Sequence, residues 1–212
     1  MKKRIVLMLA GLLLCSALAG CMAQTATGMQ LTPHELSEDE TELLALADVD
    51  LSQTAFALYE YQTDDSLHAI SFSRYILNDM LEWEQDEAYQ AAIFDETQLG
   101  PNGRISLIEE ENKSFAVNIR ADGTGYHYNA PELPDGLPEI RARGFGSQSE
   151  AAEIVYGEEI PLLVRTFRAD DSVYVYSANN FYDTARFEGD LFTEAYTVTF
   201  SDEMPEEGSP AA

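Results

Sequence analysis

The amino-acid sequence predicts a mainly β protein, with an antiparallel β-sandwich-like body behind a short N-terminal helix. Apolar and polar residues alternate with a period of two in several runs, such as 67–77, 114–121 and 191–201. This alternation is typical of strands that bury one face. Turn-forming residues separate the runs, and Asp122-Gly123 is the favoured two-residue connection of a β-hairpin. Short strands joined by such turns favour a sandwich.

The N-terminal helix has two possible starts. Thr32-Pro33-His34-Glu35 offers a capping residue, a proline at the first helical position and a glutamate that completes a capping box. Ser37 to Glu40 offers a second capping box. Apolar residues then follow at helical spacing and share one face, at positions 36, 43, 44 and 47. We expect the helix to end near Ala47.

Three strands are predicted after the helix. They span 55–61, 67–77 and 80–84, and 86–94 fits either a strand or a helix. The turn residues Thr63-Asp64-Asp65-Ser66 join the first two strands, which we interpret as a hairpin. Trp83, the only tryptophan of the chain, lies in the short third strand.

A three-stranded meander is the clearest element of the sequence. Its strands are predicted at 104–109, 114–121 and 124–129, after a strong turn signal at Leu99–Gly103. Asp122-Gly123 joins the last two strands. Phe115, Val117 and Ile119 share one parity of the middle strand, so we expect them to be buried together.

The rest of the chain begins with a proline-rich stretch, 131–138, which predicts a linker or a long crossing loop. Further strands are predicted at 139–143, 159–168, 173–177 and 191–201. In the last of these, Tyr196, Val198 and Phe200 share one parity, so we expect them to be buried together. Gly144-Phe145-Gly146 is interpreted as a break, and 149–154 as a helical turn. Residues 179–189 show no regular pattern.

Two segments of the chain resemble each other. Residues 61–67 and 167–173 share one order of residue types. Each segment has an aromatic residue, two variable residues, the sequence Asp-Asp-Ser, and an aliphatic residue at which the next strand is predicted to begin. Aspartate and serine are ordinary turn residues, so two hairpins share them by chance more easily than by descent. The alternative is a body of two similar halves, divided near 130–138.

The first 21 residues have the features of a secretory signal peptide, with a basic start at Lys2-Lys3-Arg4 and an apolar run over Ile5–Leu14. The segment closes with Leu18-Ala19-Gly20-Cys21, which resembles the lipobox of bacterial lipoproteins. The resemblance implies that the chain is cut before Cys21, that the Cys21 thiol carries diacylglycerol, and that fatty acids such as palmitate anchor the protein. A transmembrane anchor is the alternative, but the 16 residues from Ile5 to Gly20 fall short of the ~20 that a span needs.

These observations predict four regions. They are a signal peptide at 1–20, a flexible tether at 21–31, a β-rich globular body at 32–201 and a disordered acidic tail at 202–212. The expected location is extracytoplasmic, at the cell surface or the periplasmic face of a membrane. With Cys15 removed and Cys21 lipidated, no thiol is left for a disulfide or a cysteine metal site.

The net charge is strongly negative. It is −26 for the whole chain and becomes −29 without residues 1–20, because three of the 12 basic residues and none of the 38 acidic ones lie there. Such a surface repels phosphate backbones, so nucleic acid is excluded as a partner, and it disfavours close contact with anionic lipids. The acidity serves solubility, or it provides a docking face for cations or basic peptides.

Sequence motifs for catalysis and cofactors are missing. The three histidines are far apart, and no nucleophile elbow, phosphate-binding loop or dinucleotide fingerprint occurs. No cofactor is therefore expected. Calcium is the one metal that the acidic turns suit, with candidate ligands Asp64, Asp65, Asp170 and Asp171, although their spacing does not follow the alternating-oxygen pattern of calcium loops.

Aromatic side chains are the candidate ligand-binding residues. Tyr126 with Tyr128, and Tyr174 with Tyr176, share a strand parity, and Trp83 is a further candidate. Such pairs form flat stacking platforms in binding modules, or they pack the core of a small sheet.

The sequence favours a lipid-anchored extracytoplasmic protein that is a non-catalytic binding or interaction module for a glycan, peptide or protein. Two alternatives stay open. A carboxylate-dependent hydrolase of cell-wall or dietary glycans would need two acids facing each other across a cleft. A structural or assembly subunit of an envelope complex would expose a large apolar patch.

Overall fold

The computed structural model describes residues 28–46, 49–51, 54–95, 99–110, 113–134, 136–172 and 174–204. In these ranges the chain forms two antiparallel sheets that pack face to face, one α-helix and two short 3-10 helices. The mainly β, sandwich-like class that the sequence predicts is confirmed. No helix within these ranges is both long and apolar enough to span a membrane.

The strands in the described ranges are β1 (Gln30–Pro33), β2 (Phe56–Gln62), β3 (Ala69–Leu77), β4 (Trp83–Phe94), β5 (Asn102–Glu109), β6 (Phe115–Ala121), β7 (Thr124–Asn129), β8 (Ala142–Ser147), β9 (Ala152–Glu153), β10 (Glu159–Arg168) and β11 (Phe192–Ser201). The six-stranded sheet has the order β7-β6-β5-β2-β1-β9. The five-stranded sheet has the order β4-β3-β11-β10-β8. Strands from both sides of the 131–138 loop lie in each sheet, and one core joins the sheets.

The main core lies between the inner faces of the two sheets. Tyr59, Leu107 and Val117 reach it from the six-stranded sheet, and Phe72 and Val198 from the five-stranded sheet, each at most 1% exposed. Period-two alternation places these side chains on one face of their strands. The predicted burial of the inward sets in β6 and β11 is confirmed, with all of their members at most 1% exposed: Phe115, Val117, Ile119, Tyr196, Val198 and Phe200.

The meander β5-β6-β7 forms as predicted. Its hairpin turn places Asp122 at φ 47° and Gly123 at φ 77°. Two successive positive φ values define the type of turn whose twist matches the flanking strands, and they explain the Asp-Gly pair. The turn fixes the register of β6 and β7, in which Asn118 lies opposite His127.

Helix α1 (Glu38–Leu46) begins at the second of the two predicted capping boxes. Ser37 N donates to Glu40 Oε2 at 2.9 Å, and Glu40 N donates to Ser37 Oγ at 3.3 Å. The earlier start is wrong because Thr32 and Pro33 belong to β1. No residue of the helix is fully buried, and Leu43 is 66% exposed, so the helix adds no residue to the core.

The predicted tether is shorter than expected at its C-terminal end. Gln30 and Leu31 pair with Gln62 and Tyr61 in the β1–β2 ladder, and Leu31 is fully buried. Gln30 and Leu31 therefore belong to a strand of the body and not to the tether. The signal peptide with Cys21 lies outside the described residues, as do residues 205–212 of the predicted tail.

The hairpin predicted for residues 55–61 and 67–77, which form β2 and β3, is wrong. Strand β2 pairs with β1 and β5, whereas β3 pairs with β4 and β11 in the other sheet. Alternation indicates that each strand buries one face, but both sheets bury their faces in the same core, so the pattern does not select the pairing partner. Residues 83–94 form one long strand, β4, and the predicted short strand at 80–84 only includes its start.

Three predictions after residue 138 are wrong, although β10 and β11 form as expected. Gly144-Phe145-Gly146 lies within β8, residues 152–153 form β9 rather than a helical turn, and Tyr174–Ser177 is not a strand. The glycines mark a close backbone approach instead of a break. A Cβ atom on Gly146 would lie 2.2 Å from the carbonyl carbon of Tyr176.

The connection from β10 to β11 covers the outer face of the five-stranded sheet. It contains the 3-10 helices Ala178–Tyr182 and Thr184–Phe187. Phe187 and Tyr176 from this connection form a second apolar cluster with Val164 and Ala195 from the sheet. Burial on both faces explains why β10 and β11 are almost continuously buried.

Candidate binding face of the six-stranded sheet

The outer face of the six-stranded sheet carries polar side chains in three cross-strand rows. The first row is Glu153, Gln30, Gln62 and Asn102. The middle row is Thr32, Glu60, Arg104, Arg120 and Gly125. The third row is Leu58, Ser106, Asn118 and His127. Because adjacent strand residues point to opposite faces, the apolar inner face obliges these polar residues to share the other one.

The middle row contains both arginines of these three rows, and the first row ends in the carboxylate of Glu153. Arg104 Nη2 lies 2.7 Å from Glu60 Oε1, and His34 Nδ1 lies 3.4 Å from the same oxygen. Arg104 and Glu60 are both about half exposed, at 52% and 47%. Arg120 lies directly opposite Arg104 and has no anionic partner within 4.0 Å among the described residues. With one carboxylate and two guanidinium groups, the row has a net charge of +1, in a chain whose net charge is −26.

Two shallow concavities lie side by side on this face and share Arg104. The first has a volume of about 440 Å³ and lies over the first row, with Glu60 at its wall. The second has a volume of about 330 Å³ and lies over the third row, between Arg120, Asn118 and His127. Volumes of 300–1,000 Å³ are usual for small-ligand sites.

A chain of hydrogen bonds orients the third row. Asn118 Nδ2 donates to Ser106 Oγ at 3.3 Å, which leaves the Asn118 carbonyl oxygen as an acceptor. His127 Nδ1 lies 2.8 Å from that oxygen, so Nδ1 carries the hydrogen. His127 is exposed, and with the hydrogen on Nδ1 its Nε2 is an acceptor.

The buried charged residues form a separate network between the sheets. Glu194 is fully buried and accepts hydrogen bonds from Arg74 Nε and Arg165 Nε, both at 2.7 Å. Arg165 Nη1 also lies 3.2 Å from Glu109 Oε1, and Arg143 Nη1 donates to Glu109 Oε2 at 2.8 Å. Each carboxylate is thus held by two arginines, as buried charges require.

Aromatic rings and one further acid complete this network. The Arg165 guanidinium lies 4.4 Å from the ring centre of Phe115 and 4.9 Å from that of Phe167. Arg74 Nη1 donates to Asp86 Oδ2 at 2.7 Å. Burial raises the pKa of the neighbouring Tyr196 hydroxyl well above its usual value, so this phenol stays neutral.

The predicted ligand-binding aromatics on the five-stranded sheet are largely occupied by packing. Trp83 stacks on Phe181 with ring centres 5.2 Å apart and donates its Nε1–H to the Phe181 carbonyl at 2.8 Å. Tyr176 is 8% exposed and stacks on Phe187. Tyr174 is 53% exposed, with the Arg168 guanidinium 4.8 Å from its ring centre. Tyr174 and Tyr176 do not share a strand, because this segment is irregular.

Tyr126 and Tyr128 do share a parity of β7, as predicted. They lie opposite Ile119 and Val117, so they are on the core-facing side of the sheet edge. Tyr128 donates its hydroxyl to the Ala92 carbonyl at 2.9 Å. The five predicted aromatic residues are therefore divided between the two sheets and do not form one flat platform.

The two acidic turns have the same local geometry. Ser66 N donates to Asp64 Oδ1 at 2.9 Å, and Ser172 N donates to Asp170 Oδ1 at 3.0 Å. In both turns the aspartate side chain accepts a hydrogen bond from the backbone N–H two residues later. This common type of turn explains the similarity of 61–67 and 167–173. Hydrogen bonds from Arg168, then from Ser172, lower the pKa of Asp170 to about 2.

Partners within the chain occupy three of the four candidate calcium ligands, Asp64, Asp170 and Asp171. Asp64 Oδ1 also accepts from Tyr156 OH at 2.8 Å, and Asp171 lies 3.4 Å from Arg141. Asp65 lies beside Asp64 in the first turn. Within the described parts of the chain, no three histidine, cysteine, aspartate or glutamate side chains come together as a metal site.

Sequence reasoning missed both the outer-face rows and the buried network. A signal for the network was present, because Arg74 shares the parity of the buried Ile70 and Phe72, and Glu194 that of Tyr196. A charged residue on the apolar parity of a strand requires a buried partner. No such signal existed for the rows, which depend on the pairing of β5 with both β2 and β6.

Comparison of the chain with protein-family models, with curated proteins and with solved structures gives no match. The function is therefore argued from the residues alone.

Proposed function

We propose that this chain is a non-catalytic binding module, held at a membrane by lipid on Cys21, which recognises an extracytoplasmic ligand with the outer face of its six-stranded sheet. The observation that supports the proposal is the joined pair of concavities around Arg104, lined by amides and hydroxyls as well as charges. Polar groups of this kind on rigid strands orient a ligand without performing chemistry on it.

The distribution of carboxylates favours binding over hydrolysis. Glycoside hydrolysis needs two carboxyl groups about 5–9.5 Å apart on either side of the substrate. Among the residues that the structure describes, Glu60 is the only carboxylate that lines the first concavity, where it pairs with Arg104, and none lines the second. Glu109 and Glu194 lie close together through Arg165 but are buried and held by arginines, so a substrate does not reach them.

A glycan array and a pull-down from envelope extracts test the binding proposal. The chain from residue 22 onward is suitable, because it contains every described element. The variant Gln62→Ala/Asn102→Ala removes two opposed amides of the first row without changing the charge. We expect it to lose at least tenfold in affinity for the captured ligand, about the effect of two lost hydrogen bonds.

The control is Gln85→Ala, which removes an exposed amide from β4 on the other sheet. Equal binding by the outer-face variant and the control would contradict the proposed site. Release of reducing sugar from a captured glycan would contradict the non-catalytic role and favour the hydrolase. Capture of a protein complex that tolerates both variants would favour the assembly subunit.

The lipid anchor is tested separately. The lipobox residues Leu18 to Cys21 support cleavage and acylation at Cys21. We expect palmitate labelling in the parent and an unlabelled precursor for Cys21→Ser, with Cys15→Ser as the matched control because Cys15 lies inside the signal segment. Labelling that persists in Cys21→Ser would contradict the anchor.

A further inference from the structure

The middle row places two arginines directly opposite each other. Arg104 in β5 and Arg120 in β6 are register partners, so their Cβ atoms are about 4.5–5.5 Å apart. Like charges at this position destabilise a sheet. The chain has 38 acidic and 12 basic residues, and it nevertheless places two cations opposite each other here. The pair therefore leaves this point of the face with adjacent positive charges.

Carboxylates within the chain neutralise the two arginines only in part, and an external anion can take their place. Glu60 neutralises Arg104, but both side chains are about half exposed, and an exposed ion pair contributes only about 0–1 kcal/mol. An anion from outside exchanges with such a partner at little cost. Arg120 is exposed, and none of the described carboxylates lies within 4.0 Å of its guanidinium group.

Space for a ring-sized ligand lies beside Arg120. Its partner in β7 is Gly125, and a Cβ atom added there would meet no other atom within 4 Å. The 330 Å³ concavity occupies this space, with Asn118 and His127 along one side. Amides and hydroxyls flank the arginines on both sides, in the first and third rows.

We infer that the outer face binds an acidic glycan, with a sugar carboxylate accepting hydrogen bonds from Arg120 and Arg104. The planar guanidinium fork matches a carboxylate with two parallel hydrogen bonds. The flanking amides and hydroxyls match sugar hydroxyl groups. This inference rests on the proposed binding function and names its ligand class.

The topology argues against an added peptide strand as the occupant. A peptide that extends a sheet needs a free strand edge. Strands β5 and β6 are interior strands of the six-stranded sheet, each paired on both sides. The arginines therefore present side chains from the middle of the sheet, not backbone groups from its edge.

Binding of a biotinylated galacturonic acid oligomer to the full-length chain in nonionic detergent tests the inference. The methyl ester of the same oligomer removes the carboxylate charge and keeps the sugar. We expect the acid to bind at least tenfold more tightly than the ester, and Arg120→Gln to lose at least tenfold in affinity for the acid. Arg186→Gln is the matched control, because Arg186 is 63% exposed and lies in the connection over the other sheet.

Gly125→Leu provides a second variant that leaves the charge unchanged. Because the position is open, the side chain enters the concavity without a clash, and we expect binding of the acid oligomer to fall at least tenfold. The fluorescence melting curve of Trp83 verifies that each variant is folded.

Three results would overturn the inference. These are equal affinities of the acid and its ester, full affinity of Arg120→Gln, and no measurable binding of the acid by the parent. If a poly-glutamate chain binds as tightly as the oligomer, the ligand class is an acidic peptide and the glycan assignment is wrong. If Arg120→Gln leaves binding unchanged while Gln62→Ala/Asn102→Ala abolishes binding in the glycan array and pull-down, the assignment of an acidic ligand is wrong, and the proposed binding face is retained. If neither variant has an effect, both proposals fail.

Discussion

Replacing Glu194 by glutamine should destabilise the protein by about 3–5 kcal/mol, the usual cost of removing one partner from a buried ion pair. Glu194 is fully buried and accepts from Arg74 and Arg165, so the variant leaves two guanidinium groups without their shared charge. The glutamine also replaces one carboxylate oxygen, which accepts a hydrogen bond from an arginine, by an NH₂ group. That NH₂ group is a donor and faces the N–H donor of the arginine. Hydrogen bonds to charged groups contribute about 1.5–3 kcal/mol each, which gives the same magnitude for two of them.

Urea unfolding followed by fluorescence measures this effect. Trp83 is the only tryptophan and lies between Phe181 and Phe187, so its emission reports on tertiary packing. With a urea m-value of about 2 kcal/mol/M, a loss of about 4 kcal/mol lowers the midpoint by about 2 M.

Glu60→Gln is the matched control for this prediction. It makes the same chemical change in a pair of the same 2.7 Å length, but Glu60 and Arg104 are about half exposed. The expected cost is about 0–1 kcal/mol. If Glu194→Gln costs no more than Glu60→Gln at an unchanged m-value, the argument that burial makes this network essential is refuted.

Three further predictions concern packing, backbone approach and charge. Val198→Ala should cost about 1–3 kcal/mol because the side chain is fully buried, whereas Val175→Ala, at 92% exposure, should be neutral; equal urea midpoints would mean that the strand face is wrong. Gly146→Ala should cost about 1–3 kcal/mol because its Cβ meets backbone atoms at 2.2 and 2.4 Å, while Gly125→Ala meets none; calorimetry that ranks them the other way would refute the close approach. The pKa of Glu40 should be about 2 instead of 4.5, because the N–H at the helix start and then the neighbouring histidine donate to its carboxylate. A lowered carboxyl pKa stabilises the fold above pH 4.5, and this contribution is lost as the pH falls through about 2; a carbon-13 NMR titration with a midpoint near 4.5 would contradict it.

The elements that the sequence predicts correctly are those whose signals are local. Period-two alternation identifies β3, β6, β10 and β11, and the Asp122-Gly123 pair identifies the β6–β7 hairpin. Turn and capping signals act over four residues or fewer, so they are present in the sequence itself. Where two capping boxes competed, pairing of β1 with β2 decided between them, and that contact joins residues about 30 positions apart.

The candidate binding face and the separate buried network both depend on contacts of longer range. Glu60 and Arg104 are 44 residues apart, and Arg165 and Glu109 are 56 residues apart. The sequence indicates that each of these residues lies in a strand, but not which strand is its neighbour or which sheet it joins.

The sequence by itself determined that this chain builds short half-buried strands, that its surface is strongly acidic, and that its first 21 residues resemble a lipoprotein signal. Only the tertiary structure decided that β2 and β3 separate into different sheets, and that Arg104 and Arg120 meet on one exposed face while Arg74 and Arg165 meet Glu194 in the interior. The physical reason is that alternation specifies a face for each side chain, whereas the partner on that face is chosen by the packing of the whole sandwich.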